Sequence, residues 1–295
     1  VNYLSVENIS KSFGDRILFK DISFGIAKGQ KIALVARNGT GKTSLLRMLA
    51  GLEPPDQGKI TLRNDLRVAF LQQENIFNAS DTVADVLTQN NHIADALLNE
   101  KPAYELHEEE QTILGKIKTV AGKLGVEFFH QQVSHLSGGQ QKRLALAKVL
   151  LAEADFIIMD EPTNHLDIDM IEWLESYLGS TQATMLLVTH DRYFLDEICT
   201  EILELENGQL YRHKGNYTYY LEKNAERLEN ENASVSRARN TYRTELEWMR
   251  KQPRARGTKS KSRIDSFYEV EEQAKKKLDQ GNVQLDINIS RIGSK

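Results

Sequence analysis

Lys42 and Thr43 close the run Ala36-Arg37-Asn38-Gly39-Thr40-Gly41-Lys42-Thr43, which joins the apolar stretch 31–35 to the helix-forming stretch 44–50. Read as strand, loop and helix, this is a phosphate cradle. Its backbone N–H groups converge on an anion, the helix N-terminus adds the positive end of its dipole, and Lys42 reaches the β- and γ-phosphates. Thr43 would hold magnesium. The pattern G-x-x-x-x-G-K-[ST] is met at every fixed position except the first, where Ala36 stands for glycine; alanine is tolerated there if its φ is negative. The competing reading is a glycine-rich turn with a surface lysine.

Two further stretches carry groups that suit such a cradle. Residues 155–161 are an apolar run ending in Asp160 and Glu161, the form of a buried parallel strand with acids at its C-terminal end. Open α/β sheets bind ligands outside that end. Asp160 is thus placed as the magnesium partner of Thr43, and Glu161 as a base for water. Residues 184–189 form a second such run, ending at His190. A lone histidine is more often structural, but one that ends a core strand beside a phosphate site is expected to contact it. Phe13, just before the Gly14 turn, offers a ring face to a base. Leu136-Ser137-Gly138-Gly139-Gln140 precedes a helical run 141–152, so paired glycines again bare N–H groups for an anion; alone, the pentapeptide could be a helix cap on Ser137.

The totals fit an α/β core with length to spare: 295 residues, 40% hydrophobic, 27% charged and a formal charge of −4. There is no apolar run of about 18 residues and no basic-then-apolar N-terminus. We read the chain as cytoplasmic, with no membrane partner. The single cysteine, Cys199, fits a reducing compartment. Short alternating runs at 4–9 and 22–26 predict antiparallel strands before the cradle, and further strands are expected at 59–62 and 67–71. Helical spacing dominates from 76 to 134, where Glu108, Glu109 and Glu110 read as a solvated face.

In this order the pieces resemble an ATP-binding cassette over residues 3–220, and the signature at 136–140 between cradle and acidic pair makes the resemblance specific. The strings Glu161-Pro162-Thr163-Asn164-His165-Leu166-Asp167 and Thr189-His190-Asp191-Arg192-Tyr193-Phe194-Leu195-Asp196 look like the ABC-F class. The linker strings at 247–250 and 254–264 are most similar to the bacterial Uup branch. The resemblance implies a P-loop core with an antiparallel β subdomain and a helical subdomain over 76–152. Phe13 then stacks on adenine, where the family often has tyrosine. Ala36, Arg37, Asn38, Gly39, Thr40, Gly41, Lys42, Thr43 and Ser44 bind ATP. Thr43, Gln73 and Asp160 hold Mg2+ and the water near it, Glu161 polarises the attacking water, and His190 contacts the γ-phosphate. Ser137, Gly138, Gly139 and Gln140 close over the ATP of a partner cassette, with Asp167 at that interface. With one cradle and one signature, the chain is expected to be the N-terminal half of a longer protein and weakly active alone.

Beyond residue 220 a different element begins. Leu221, Leu228, Val235, Tyr242 and Met249 recur every seven residues, with Ala225, Asn232, Arg239 and Leu246 between them, an imperfect coiled-coil seam. Ile264, Phe267, Glu271, Ala274 and Leu278 would pack back as an antiparallel hairpin, making 221–290 a linker and 291–295 the approach to a second cassette. Between 250 and 263 lie seven cations and no acid: Arg250, Lys251, Arg254, Arg256, Lys259, Lys261 and Arg263. A charge run is usually a solvated face, yet a basic tip on a rod suits phosphate backbones. The resemblance implies ribosomal RNA. The alternative is a DNA-associated maintenance ATPase. A transporter subunit has no use for such a hairpin. The region 94–110 is short for the helical arm that ABC-F proteins often carry.

Overall fold

The computed structural model describes residues 1–73, 77–99, 106–250 and 261–275. The chain divides into two compact units, one over Val1–Tyr217 and another that begins at Thr218.

The first unit opens with β1 (Asn2–Phe13) and β2 (Arg16–Ala27), an antiparallel pair that β4 (Gln57–Leu62) extends to three strands. The alternating runs expected at 4–9 and 22–26 lie inside these strands, which are longer than expected because the pairing continues through several bulges to Phe13 opposite Arg16. A six-stranded sheet runs β5 (Val68–Leu71), β6 (Phe156–Asp160), β7 (Thr184–Val188), β3 (Lys31–Ala36), β8 (Glu201–Glu206), β9 (Gln209–Lys214). Its first five strands are parallel and β9 is antiparallel to β8. β6 and β7 are buried throughout, as an apolar run without alternation requires of a strand covered on both faces.

Helix α1 (Lys42–Leu49) lies within the core between the two sheets. Leu45, Leu46, Met48 and Leu49 share one cluster with Leu4 and Ile9 of β1, Ile32 and Leu34 of β3, and Ile158 of β6. The period of two in β3 sends Ile32, Leu34 and Ala36 to that side. The cradle therefore follows a strand and precedes a helix that are both immobilised by burial.

Between β5 and β6 the chain is helical: α2 (Val83–Leu87), α3 (Asn91–Leu98), α4 (Glu108–Lys123) and α5 (Gly138–Leu151). Glu110 departs from the expected solvated face. Its carboxylate accepts from the His107 N–H at 3.2 Å and closes a capping box at the start of α4. Helices α6 (Ile168–Ser180) and α7 (Arg192–Ile198) follow β6 and β7.

The second unit holds most of α8 (Tyr217–Arg250) and all of α9 (Lys261–Lys275). With 34 residues, α8 is about 50 Å long. The two helices pair antiparallel: Arg239 Nε donates to Ala274 O, Tyr242 Oη donates to Glu271 Oε1, and Tyr242 stacks on Phe267 with centroids 5.4 Å apart. Val235, Ala238, Phe267 and Ala274 are buried. The seven-residue repeat holds from Val235 onward, but Leu221 is 39% exposed and stands outside the seam. The second row of the seam passes through Ala238 rather than Arg239. Leu278 and the segments 276–290 and 291–295 lie outside the described residues.

Candidate nucleotide-binding site

The end of β3 and the start of α1 leave residues 37–41 to turn without sheet or helix partners. Gly41 caps α1 with φ +97°, and a Cβ there would lie 3.1 Å from Leu18 Cβ. Only glycine meets both conditions at no cost. Ala36 ends β3 and is absent from the positive-φ residues, which accounts for alanine at the first motif position. Lys42 Nζ folds over the loop and donates to Ala36 O at 2.8 Å and Asn38 Oδ1 at 3.1 Å. Thr40 Oγ1 donates to Arg37 O at 2.7 Å.

A cavity of about 580 Å3 opens over this loop. Phe13, Arg16, Leu18, Asn38, Gly39, Gly41, Lys42, Thr43, Ser44, Gln73, Asp160, Glu161, Asn164 and His190 line it. Thus Phe13, Asn38, Gly39, Gly41, Lys42, Thr43, Ser44, Gln73, Asp160, Glu161 and His190 of the expected set come together. Ala36, Arg37 and Thr40 shape the loop without lining the cavity. Phe13 is 83% exposed, an aromatic face uncovered by this chain at the mouth of a polar cavity. Arg16, Leu18 and Asn164 were not legible from sequence. Arg16 sits opposite Phe13 across the β1–β2 turn, and its Nη1 is 3.7 Å from where a Cβ on Gly39 would lie.

Asp160 and Glu161 are consecutive, so regular strand geometry would send them to opposite faces. Glu161 instead adopts φ +53°, its N–H donating to Val188 O at 2.7 Å. That left-handed turn brings the second carboxylate round to the same cavity, and for a non-glycine residue it costs on the order of 1–3 kcal/mol. Thr43 Oγ1 donates to Asp160 Oδ2 at 3.2 Å. His190 closes the other side: its N–H donates to Glu161 Oε2 and its Nε2 lies 3.3 Å from Glu161 Oε1. The buried Thr163 and Thr189 hydroxyls, 2.9 Å apart, hold together the loops that carry these two residues.

Burial sets the charge balance. It raises the Asp160 carboxyl above 3.8 against the pull of Thr43, Lys142 and Lys42. It likewise raises Glu161 above 4.5, while His190 favours the ionised form. Burial lowers the Lys42 ammonium below 10.5, and Glu161 and Asp160 oppose that shift. The Asp160 carboxylate with the Thr43 hydroxyl beside it, and Gln73 lining the same cavity, supply oxygen donors of the kind a hard divalent cation takes. Thr43, Gln73 and Asp160 fit magnesium in that sense.

The signature residues lie apart from this cavity. Ser137 caps α5 in a capping box, its Oγ accepting from Gln140 N–H while Gln140 Oε1 accepts from Ser137 N–H. Gly138 is exposed, and a Cβ on Gly139 would lie 3.7 Å from His165 Cβ. Asp167 caps α6, accepting from Met170 N–H at 2.9 Å. At the basic run only Arg250, Lys261 and Arg263 are described; Lys251, Arg254, Arg256 and Lys259 lie outside the described residues. Arg263 is exposed and also paired with α8. Its guanidinium makes two 2.8 Å bonds to Glu245 and lies 4.1 Å over the Trp248 ring.

A lysine and a hydroxyl at a helix start, facing acids at the end of a nearby parallel strand, define a P-loop nucleotide-binding cassette. Two family models, both described as ABC transporter, match residues 19–164 and 203–285. The chain belongs to the ATP-binding cassette family, in its ABC-F class. It is similar to an ABC transporter ATP-binding protein, YfmR, of Bacillus subtilis, with 40% identity over 99% of this chain and 50% of the relative. The "Energy-dependent translational throttle protein EttA" of Mycobacterium tuberculosis is 35% identical over 98% of this chain and 56% of its own length. EttA of Escherichia coli K12 is 31% identical over 95% and 55%. The chain spans about half the length of these curated relatives. The YfmR alignment covers 316 positions against 295 residues here, so YfmR carries residues that this chain lacks. Among solved structures, an ATP-binding subunit of an ABC transporter matches with TM-score 0.59 and 21% identity over 72% of this chain and 90% of that one. That likeness shows the fold. No described helix is long and apolar enough to cross a membrane.

Proposed function

We propose that this chain binds ATP with Mg2+ and hydrolyses it, and that it is one cassette of a two-cassette protein acting on the ribosome. The convergence of Lys42, Thr43, Asp160, Glu161 and His190 on one cavity carries the reading of the chemistry. Phosphoryl transfer passes through a loose transition state, so catalysis is largely positioning and charge stabilisation. Lys42 would leave Ala36 O and Asn38 Oδ1 for phosphate oxygens, with the loop N–H groups around it. Phe13 would stack on the adenine ring. Thr43, Gln73 and Asp160 would hold magnesium, which supplies charge neutralisation at the phosphates. Glu161, raised by burial and still faced by His190, is suited to orient and deprotonate water, and His190 is suited to the γ-phosphate.

Ser137, Gly138, Gly139 and Gln140 lie outside the cavity, which supports a composite site closed by a second cassette. On this reading the cassette spans 1–220, with its helical part over 76–152, and the linker spans 221–290. The relatives named as translational throttle proteins support a role in translation. Arg250, Lys251, Arg254, Arg256, Lys259 and Lys261 would contact rRNA or tRNA phosphates, with Arg263 retained as a brace of the hairpin.

The test is sedimentation of the full-length protein with purified ribosomes, using Glu161→Gln and ATP at several salt concentrations. A variant with the six remaining tip cations neutralised runs beside it. ATP-dependent binding that steepens with falling salt and is lost in the tip variant supports the reading. Binding to duplex DNA alone, or no effect of the tip, overturns the ribosomal part.

A further inference from the structure

Lys142 stands in the first turns of α5, within the polar run Gln141-Lys142-Arg143. The residue is nevertheless only 8% exposed. Lysine is almost never this buried unless its charge is satisfied. Here the satisfaction is specific. Nζ donates to Gln72 O at 3.0 Å, Gln73 O at 3.3 Å and Asp160 O at 3.4 Å. An ammonium has three N–H donors, and each finds a main-chain carbonyl. Two carbonyls lie just beyond the end of β5 and the third ends β6. These are the points where the chain leaves the sheet and turns toward the cavity, so their carbonyls have lost or are losing ladder partners.

We propose that Lys142 is a positioning residue for the nucleotide site: its buried ammonium ties the signature helix to the two strand ends that carry Gln73 and Asp160. It touches no nucleotide itself. Its effect is to fix the spacing between the amide of Gln73 and the carboxylate of Asp160, the groups assigned to the magnesium side of the cavity. A displacement of α5 is then transmitted to both groups at once. Packing alone does not explain a lysine here, because methionine fills similar space without desolvating a charge.

The inference rests on the ATP and magnesium reading of the cavity, and its test separates the two. Lys142→Met and Lys142→Arg are prepared in the full chain beside the wild type. ATP affinity is measured in EDTA and in Mg2+, thermal unfolding is followed, and hydrogen exchange is read without nucleotide in peptides covering 68–73 and 156–161. Lys142→Met is expected to melt cooperatively, to bind ATP in EDTA within about twofold of wild type, and to lose about tenfold of the affinity gained from magnesium, the usual scale for a support behind a metal ligand. Lys142→Arg restores part of that gain. Both peptides exchange faster in Lys142→Met.

A wild-type magnesium gain in Lys142→Met overturns the proposal. So does an equal loss of affinity in EDTA and Mg2+ accompanied by a lowered melting temperature, which marks a packing role. If the wild type binds no ATP, the functional reading fails. The tie is then decided by exchange alone: faster exchange in both peptides sustains it, and unchanged exchange overturns it.

Discussion

In the unit over Val1–Tyr217, β6 and β7 are buried along their whole lengths, and ionisable side chains gather just where those strands end. In α8 and α9 the order is reversed. Few described side chains are buried, and polar pairs such as Arg263 with Glu245 and Tyr242 with Glu271 are strung along the helix pair. A sheet buried on both faces can hold charged groups at fixed positions, because moving them means disturbing the core. A two-helix pair exposed on most of its surface has no such anchor. The first arrangement suits chemistry that depends on sub-ångström placement; the second suits a surface whose charge matters more than its exact position.

This contrast can be broken at either end. The largest expected effect is at the cradle: Lys42→Ala lowers ATP affinity by about 100-fold, as loss of charge-assisted hydrogen bonds to phosphate predicts, while α8 and α9 retain wild-type hydrogen exchange. Calorimetric titration and exchange measure the two halves of that statement. Phe267→Ala acts the other way. It removes the buried ring that stacks on Tyr242 and destabilises the hairpin by about 3 kcal/mol, seen as faster exchange across 235–250 and 261–275 with ATP affinity unchanged.

A smaller effect belongs to Phe13→Ala. Loss of base stacking lowers ATP affinity by about tenfold and narrows the preference for ATP over a pyrimidine triphosphate, read by competition binding.

Glu161→Gln sharpens the comparison through pH. The folded chain holds the Glu161 carboxyl above its ordinary 4.5, so between 4.5 and the raised value it binds a proton that the unfolded chain has released. Stability from this group therefore rises as pH falls through that window, and above it the ionised carboxylate is a burden. Without nucleotide, Glu161→Gln should raise the melting temperature by a few degrees at pH 7, with the gain disappearing as the pH drops below the window. Arg263→Ala has the smallest effect, since an exposed ion pair contributes little and less in salt.

Much of the site was legible because its chemistry is written in short local strings. Residues 36–44 turn on their own backbone, and the acids at 160 and 161 follow an unbroken apolar run that only a buried strand explains. Arg16 and Leu18 were not legible, since their place at the cavity depends on how β1 and β2 pair, and several bulges shift that register. Lys142 was hidden by polar neighbours in sequence although its own environment is buried. In the hairpin, the spacing of Ile264, Phe267, Glu271 and Ala274 gave the α9 seam, with Phe267 and Ala274 buried. The α8 repeat was misleading at Leu221 because a seven-residue spacing does not say where the partner helix begins.

The proposed function makes the cavity an ATP-hydrolysing site with Glu161 as its base. The most direct test is single-turnover hydrolysis of Mg2+–ATP by wild type and Glu161→Gln, with ATP affinity measured in parallel. Comparable affinities are expected, with a hydrolysis rate at least about 100-fold lower in the variant. Equal hydrolysis rates in the two proteins, or a wild type that fails to bind ATP, would contradict it.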